Sequence, residues 1–296
     1  MKNISEHEPI YEAVVERRLT TLSVRGVQYC INEWGASDAP LFFYLHGWAD
    51  TGSSFQFVVD ALASGWRIIA PDWRGFGRTQ HRSEAYWFPD YLADLHEILR
   101  HYSPLEPVSL VGHSMGGNVA ALYAGTMPER VSALVNIEGF GLPDTDPADA
   151  PGRYRNWLEA SEQSPEFSTY ASFDSLAERI QKRNPGQSIA AAGFVARQWA
   201  VECDGRIQLR ADPNHKLPNP TLYRRAEAEA CWRNMSARML LVSGDRSPFA
   251  ANLSTIEGFP LPRCRRATIA GVGHMIHFEA PDRLAQEIES FLKKTL

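Results

Sequence analysis

Val108-Ser109-Leu110-Val111-Gly112-His113-Ser114-Met115-Gly116-Gly117-Asn118-Val119-Ala120-Ala121-Leu122-Tyr123-Ala124 is the stretch from which the rest of the chain is read. A short apolar run from Val108 to Val111 has the pattern of a buried strand, and a small-residue run of helical character follows Ser114. The spacing therefore predicts a strand that turns abruptly into a helix at Ser114. Glycines two before and two after that serine remove the Cβ atoms that would collide in so sharp a turn. The hydroxyl is left exposed above the sheet, which is the geometry of a nucleophile elbow.

Outward from the elbow, Arg18–Val24 and Val27–Glu33 read as an antiparallel hairpin joined at Arg25-Gly26. Continuous apolar runs follow at Leu41–Leu45, Arg67–Ala70, Val108–Val111, Ala133–Ile137 and Met239–Val242. Helical patterns lie between most of them, so they are predicted as parallel strands buried on both faces. Leu92, Leu95, Ile98 and Leu99 form one helical stripe after Pro89-Asp90, and Leu284, Ile288, Phe291 and Leu292 form another after Pro281-Asp282. The alternation stops between about Phe140 and Met235. There Pro143, Pro147 and Pro151 break the chain, and helices are expected near Tyr154–Gln163, Ser175–Asn184, Ser188–Ala200 and Leu222–Asn234. Asp204-Gly205 reads as a hairpin turn within this stretch.

With 296 residues, 44% of them hydrophobic, the chain can bury one large α/β domain with an insertion. The boundaries expected are a core of residues 1–140 and 236–296 and an inserted segment of residues 141–235. A formal net charge of −5 gives no electrostatic case for nucleic acid or an anionic membrane. Arg263, Arg265 and Arg266 are expected as a solvated sheet edge. Met1 to Pro9 lacks the apolar stretch of a secretory signal, and no run reaches the length of a membrane span, so a cytosolic protein is expected. Cys30, Cys203, Cys231 and Cys264 are scattered and are read as reduced structural thiols.

A serine hydroxyl is a weak nucleophile at neutral pH and needs a general base, usually a histidine oriented by a carboxylate. Gly271-Val272-Gly273-His274-Met275-Ile276-His277 lies after the last strand and before the final helix, where a loop can bring an imidazole over Ser114. His274 is taken as the base and His277 as a structural histidine. The H-x-x-H spacing is not that of a zinc helix, so no metal is expected.

His46-Gly47-Trp48, Asp72-Trp73-Arg74-Gly75-Phe76-Gly77-Arg78-Thr79, the Ser114 elbow and Gly273-His274 together resemble the α/β-hydrolase superfamily. The resemblance covers nearly the whole chain. It implies an α/β fold with an eight-stranded, mostly parallel sheet flanked by helices, a mainly helical cap inserted after strand 6, a Ser, acid, His order and no cofactor. It does not imply one substrate. It also implies an oxyanion hole made by the backbone N–H groups of Trp48 and Met115. Trp48 is expected either to wall the substrate pocket or to be buried against Phe55, while Asp72 and Arg74 shape their loop.

The commonest family pattern places the acid three residues beyond a glycine after the strand that follows the cap. Here Gly244-Asp245-Arg246-Ser247 puts serine at that place. A variant of the pattern has the acid at the end of the preceding strand, where Glu138 stands. Glu138 is therefore expected to orient His274, with Asp245 as the alternative. Serine at the elbow favours an acyl-enzyme formed at a carbonyl carbon and disfavours dehalogenase and epoxide hydrolase chemistry.

The leading expectation is hydrolysis of carboxylic esters carrying small or medium acyl groups. A C–C bond hydrolase of ring-cleavage diketones is the enzymatic alternative, and a non-catalytic ligand receptor is the alternative of another class. Trp157, Phe167, Tyr170, Phe173, Phe194 and Trp199 are expected to form the cap's own core or to line an apolar pocket.

Overall fold

The computed structural model describes residues 11–63, 65–81, 85–249, 261 and 263–293. Met1 to Pro9, where no secretory signal is read, lie outside them. The strands in chain order are β1 (Arg18–Val24), β2 (Val27–Trp34), β3 (Leu41–Leu45), β4 (Arg67–Pro71), β5 (Val108–His113), β6 (Val131–Ile137), β7 (Ala200–Cys203), β8 (Arg206–Leu209), β9 (Arg238–Gly244) and β10 (Cys264–Ile269). Eight of them form one sheet in the order β1-β2-β4-β3-β5-β6-β9-β10, and β7 and β8 form a separate hairpin. β2 runs antiparallel to both its neighbours, while β4, β3, β5, β6, β9 and β10 pair in parallel.

The helices are α1 (Gln56–Ala61), α2 (Phe88–Tyr102), α3 (Met115–Thr126), α4 (Ala150–Ser161), α5 (Phe173–Arg183), α6 (Ile189–Trp199), α7 (Arg225–Asn234), α8 (Ile276–Glu279) and α9 (Pro281–Leu292). Side chains alternate between the faces of a strand. Phe43 and Leu45 of β3 accordingly join the core under α2, α3 and α7, while Phe42 and Tyr44 join the core under α1 and α9. Both predicted stripes face the sheet: Leu95, Ile98 and Leu99 on α2, and Leu284, Ile288, Phe291 and Leu292 on α9, are buried. Among the described residues no helix is long and apolar enough to cross a membrane.

Between β6 and β9 the chain leaves the sheet and builds α4 to α7 and the β7–β8 hairpin. α5 is closed at its start by a reciprocal pair in which Ser172 and Ser175 each bond the other's backbone N–H. The helix expected near Tyr154–Gln163 begins earlier, at Ala150. Pro151, read as a breaker, sits in the first turn of α4, where its missing N–H is not needed. A third apolar cluster, containing Leu176, Ile180, Val195 and Ile207, joins this insertion to Phe57 and Phe278 of the sheet-bearing part.

Candidate active site

Ser114 is the single residue between β5 and α3, with φ 50° and ψ −114°, a strained conformation for a residue with a side chain. Its N–H donates to Ile137 O at 2.8 Å, and its own C=O accepts from Asn118 N at 3.0 Å, so the turn is tied to β6 and to the first turn of α3. The flanking glycines are required by contact. A Cβ on Gly116 would lie 2.1 Å from Leu45 O, and one on Gly112 would lie 2.6 Å from Gly116 O.

The loop after β3 reaches the same point. A Cβ on Gly47 would stand 2.9 Å from Nδ1 of the buried His113 ring and 3.3 Å from the Ser114 Cβ, so glycine lets the backbone leading to Trp48 lie close against the elbow. His46 holds that loop. The backbone N–H of Trp73 donates to His46 Nε2 at 2.7 Å, which leaves Nδ1–H to donate to Gly47 O at 2.7 Å. Burial pulls the His46 pKa down, in keeping with the neutral ring this pair of bonds requires.

His274 lies beside the elbow. His113 Nε2–H donates to the His274 carbonyl at 3.0 Å, and the two rings are 4.7 Å apart. Burial, with His277 and His274 nearby, holds His113 well below the ordinary histidine range, so this donor is neutral. His274 Nδ1 lies 3.0 Å from Glu138 Oε2. A carboxylate there accepts a hydrogen bond from Nδ1–H, which keeps the proton on Nδ1 and leaves Nε2 with a free lone pair, the state a general base needs.

Glu138 directly follows β6, has φ 59° and is buried. Its Oε1 accepts from Gly244 N at 2.8 Å, and its Oε2 also accepts from the Ser247 hydroxyl. Ser247, which occupies the place of the acid in the commoner pattern, thus hydrogen-bonds the Glu138 carboxylate at the end of the neighbouring strand. Asp245 is exposed. Its carboxylate accepts from Gly271 N at 2.6 Å and, among the described residues, bonds no part of His274.

Met115 is the first residue of α3, so its N–H is one of the amides that a helix start leaves unpaired. Trp48 is 50% exposed and packs edge-on to Phe76 and beside Phe167, each at 6.4 Å. Burial against Phe55 is therefore not its role, since Phe55 stacks on Tyr44 instead. Trp48 and Met115 border a cavity of about 180 Å³ together with Tyr86, Trp87, Trp157 and His215. Of the aromatics singled out in the insertion, Trp157 and Phe167 face this side. Tyr170, Phe173, Phe194 and Trp199 pack with the insertion's own core.

Sequence reading misses a buried network behind the elbow. Asp50 accepts from Thr51 N at 2.8 Å, Ser54 Oγ at 2.9 Å, Trp199 Nε1 at 2.9 Å and His277 Nε2 at 3.2 Å. Burial alone would raise its pKa. The hydrogen bond and charge of His277 outweigh that and hold the carboxyl below its usual range. Asp50, His113 and His277 offer three ligand atoms within 4.8 Å of one another. A tetrahedral zinc with bonds of about 2.1 Å holds its ligands roughly 3.4 Å apart, so the group would have to contract to take one. Thr51 and Ser54 are neighbours of Asp50 in the chain, but Trp199 and His277, which complete the network, lie far away in it, so no local pattern marks the group.

The sequence model of the alpha/beta hydrolase fold matches residues 40–281. A serine hydrolase-like protein of Danio rerio is 27% identical over 277 residues, spanning 88% of this chain and 83% of the relative. Among solved structures, a thioesterase domain from the curacin biosynthetic pathway superposes with a TM-score of 0.83 at 24% identity, covering 93% of this chain and 99% of the domain. A hypothetical protein of Pseudomonas aeruginosa PAO1 superposes with a TM-score of 0.82 at 27% identity, again over 93% of this chain and 99% of the other.

Proposed function

Because the chain belongs to the alpha/beta hydrolase fold family, we propose that it is a serine hydrolase that cleaves carboxylic esters of small or medium acyl groups through an acyl-enzyme on Ser114. The observation that carries this reading is the 3.0 Å contact between His274 Nδ1 and Glu138 Oε2, on a ring held against the elbow by His113.

In the proposed reaction His274 Nε2 takes the Ser114 proton as Oγ attacks the ester carbonyl. The tetrahedral oxyanion is met by the N–H groups of Trp48 and Met115, donors whose directions are set before the charge appears. The imidazolium, stabilised by Glu138, gives its proton to the departing alkoxide, and an alcohol leaves. Water then enters, gives a proton to His274 and attacks the acyl carbonyl. Collapse of the second tetrahedral intermediate releases the acid and returns the proton to Ser114. Residues 141–235 act as the cap in this reading, with Trp157 closing the cavity that Trp48 and Met115 open into.

The test is turnover of p-nitrophenyl acetate and butyrate by the purified chain, with labelling of Ser114 by a fluorophosphonate probe. Hydrolysis and labelling that both vanish in Ser114→Ala are the expected result. Turnover equal to that of Ser114→Ala, with no labelling, rejects the proposal.

A further inference from the structure

The chain is acidic, with a formal net charge of −5, yet one cleft gathers arginines. A cavity of about 820 Å³ is bordered by Arg78 and His81 from the loop after β4 and by Glu166, Phe167 and Arg210 from the insertion. Arg17 does not line the cavity but lies within electrostatic reach of Arg78 and Asp72. It is largely buried, its Nη2 donates to Gln198 Oε1 at 2.9 Å, and among the described residues its Nη1 has no hydrogen-bond partner. Burial lowers the pKa of Arg17, and the charge of Arg78 lowers it further against the pull of Asp72. Arg210 is lowered in the same way, by burial and then by Arg78, again opposed by Asp72.

Asp72 does not neutralise the group. Its Oδ1 accepts from Asn32 Nδ2 at 3.0 Å and Gly52 N at 2.8 Å, and its Oδ2 accepts from the backbone N–H of Arg78 at 2.9 Å. Among the described residues, Arg17, Arg78 and Arg210 form no ion pair. Three cations therefore share one buried carboxylate whose oxygens are already engaged. Glu166 adds one negative charge at the rim, and Lys216, whose Nζ lies 4.7 Å over the Phe167 ring and 2.5 Å from Glu166 O, adds a positive one.

The cleft is linked through one aromatic pair to the cavity that Met115 borders. Phe167 lines it and packs against Trp48, which borders the smaller cavity with Met115. We propose that this cleft is a subsite for the anionic group of the substrate, a carboxylate or a phosphate carried by an ester whose carbonyl reacts at Ser114. Guanidinium groups suit such oxyanions because their planar donors pair with two oxygens at once. The inference rests on the esterase reading of Ser114, and its test is arranged to fail separately from that reading.

Thermal unfolding of the full chain with added inorganic phosphate, or with succinate, probes the cleft without any turnover. A saturable rise in Tm is expected with at least one of them, phosphate alone pointing to a phosphorylated substrate and succinate alone to a carboxylate. Arg78→Gln with Arg210→Gln should abolish the rise, and Arg265→Gln, on the far edge of the sheet, should keep it. Arg78→Gln alone, at an exposed side chain, serves if the double variant does not fold. The second reading is the ratio of kcat/KM for the p-nitrophenyl hemiester of succinate over p-nitrophenyl butyrate. It should fall about tenfold in the arginine variants, the size expected for losing a hydrogen bond to a charged group. No rise with either anion, or a rise that the arginine variants retain, overturns the inference. A rise without turnover of either ester instead rejects the esterase reading and leaves the subsite standing.

Discussion

Glu138 holds its carboxylate among Gly244 N–H, the Ser247 hydroxyl and His274 Nδ1, all on a residue with left-handed backbone. Glu138→Gln keeps the shape but can offer an amide N–H to the imidazole, which favours the tautomer with its proton on Nε2, where it cannot accept one from Ser114. Turnover of p-nitrophenyl butyrate should then fall about 10⁴-fold, close to 5.5 kcal/mol of barrier. Asp245→Asn should stay near wild type, because Asp245 bonds the backbone of Gly271 and, among the described residues, not the His274 ring. The reverse pattern in these two variants would move the acid to Asp245. Ser114 is legible as a candidate in the sequence because it sits between glycines whose Cβ atoms would collide with backbone, and His274 because it lies in a loop between the last strand and the final helix. Glu138 becomes legible only by comparing two strand ends. Asp50 and His113 are not legible, since the polar groups they meet at 277 and 274 are brought to them by the folded sheet.

The loop of the insertion near β8 is pinned to the loop after β4 by an aromatic stack. His215 lies between Phe76 at 3.7 Å and Tyr86 at 3.6 Å, and its Nε2–H donates to Arg74 O at 3.1 Å. Burial lowers its pKa to about 3, against about 6.5 in an unfolded chain. Between those values the unfolded chain binds a proton that the folded one refuses. Stability from this site is thus complete above pH 6.5 and is lost as the pH falls toward 3. His113 and His46, also lowered by burial, act in the same direction. In His215→Phe, which keeps the stack, the drop in Tm between pH 7 and pH 5 should be smaller than in wild type, as read by calorimetry. Equal slopes would show that the stack carries no such linkage. The helices of the insertion can be anticipated from their periodicity, but this contact cannot, because residues 76, 86 and 215 meet only through the folded chain.

At the scale of the whole molecule the sheet has two open edges, β1 and β10. β10 carries exposed Arg265 and Arg266 where a bare strand would invite another copy to pair. Arg265→Val with Arg266→Val should leave turnover near wild type and raise concentration-dependent light scattering; unchanged scattering would remove the protective role from these arginines. The sheet's parallel character is legible from its continuous apolar runs. Its order is not, since the placement of β4 between β2 and β3 depends on pairings distant along the chain. That order also puts the C-terminal ends of β6 and β9 side by side, with Glu138 after one and Ser247 after the other. A negative charge required at one face of an imidazole thus has two adjacent berths in the scaffold, and its migration between them during descent would leave the ring, the nucleophile and the backbone undisturbed.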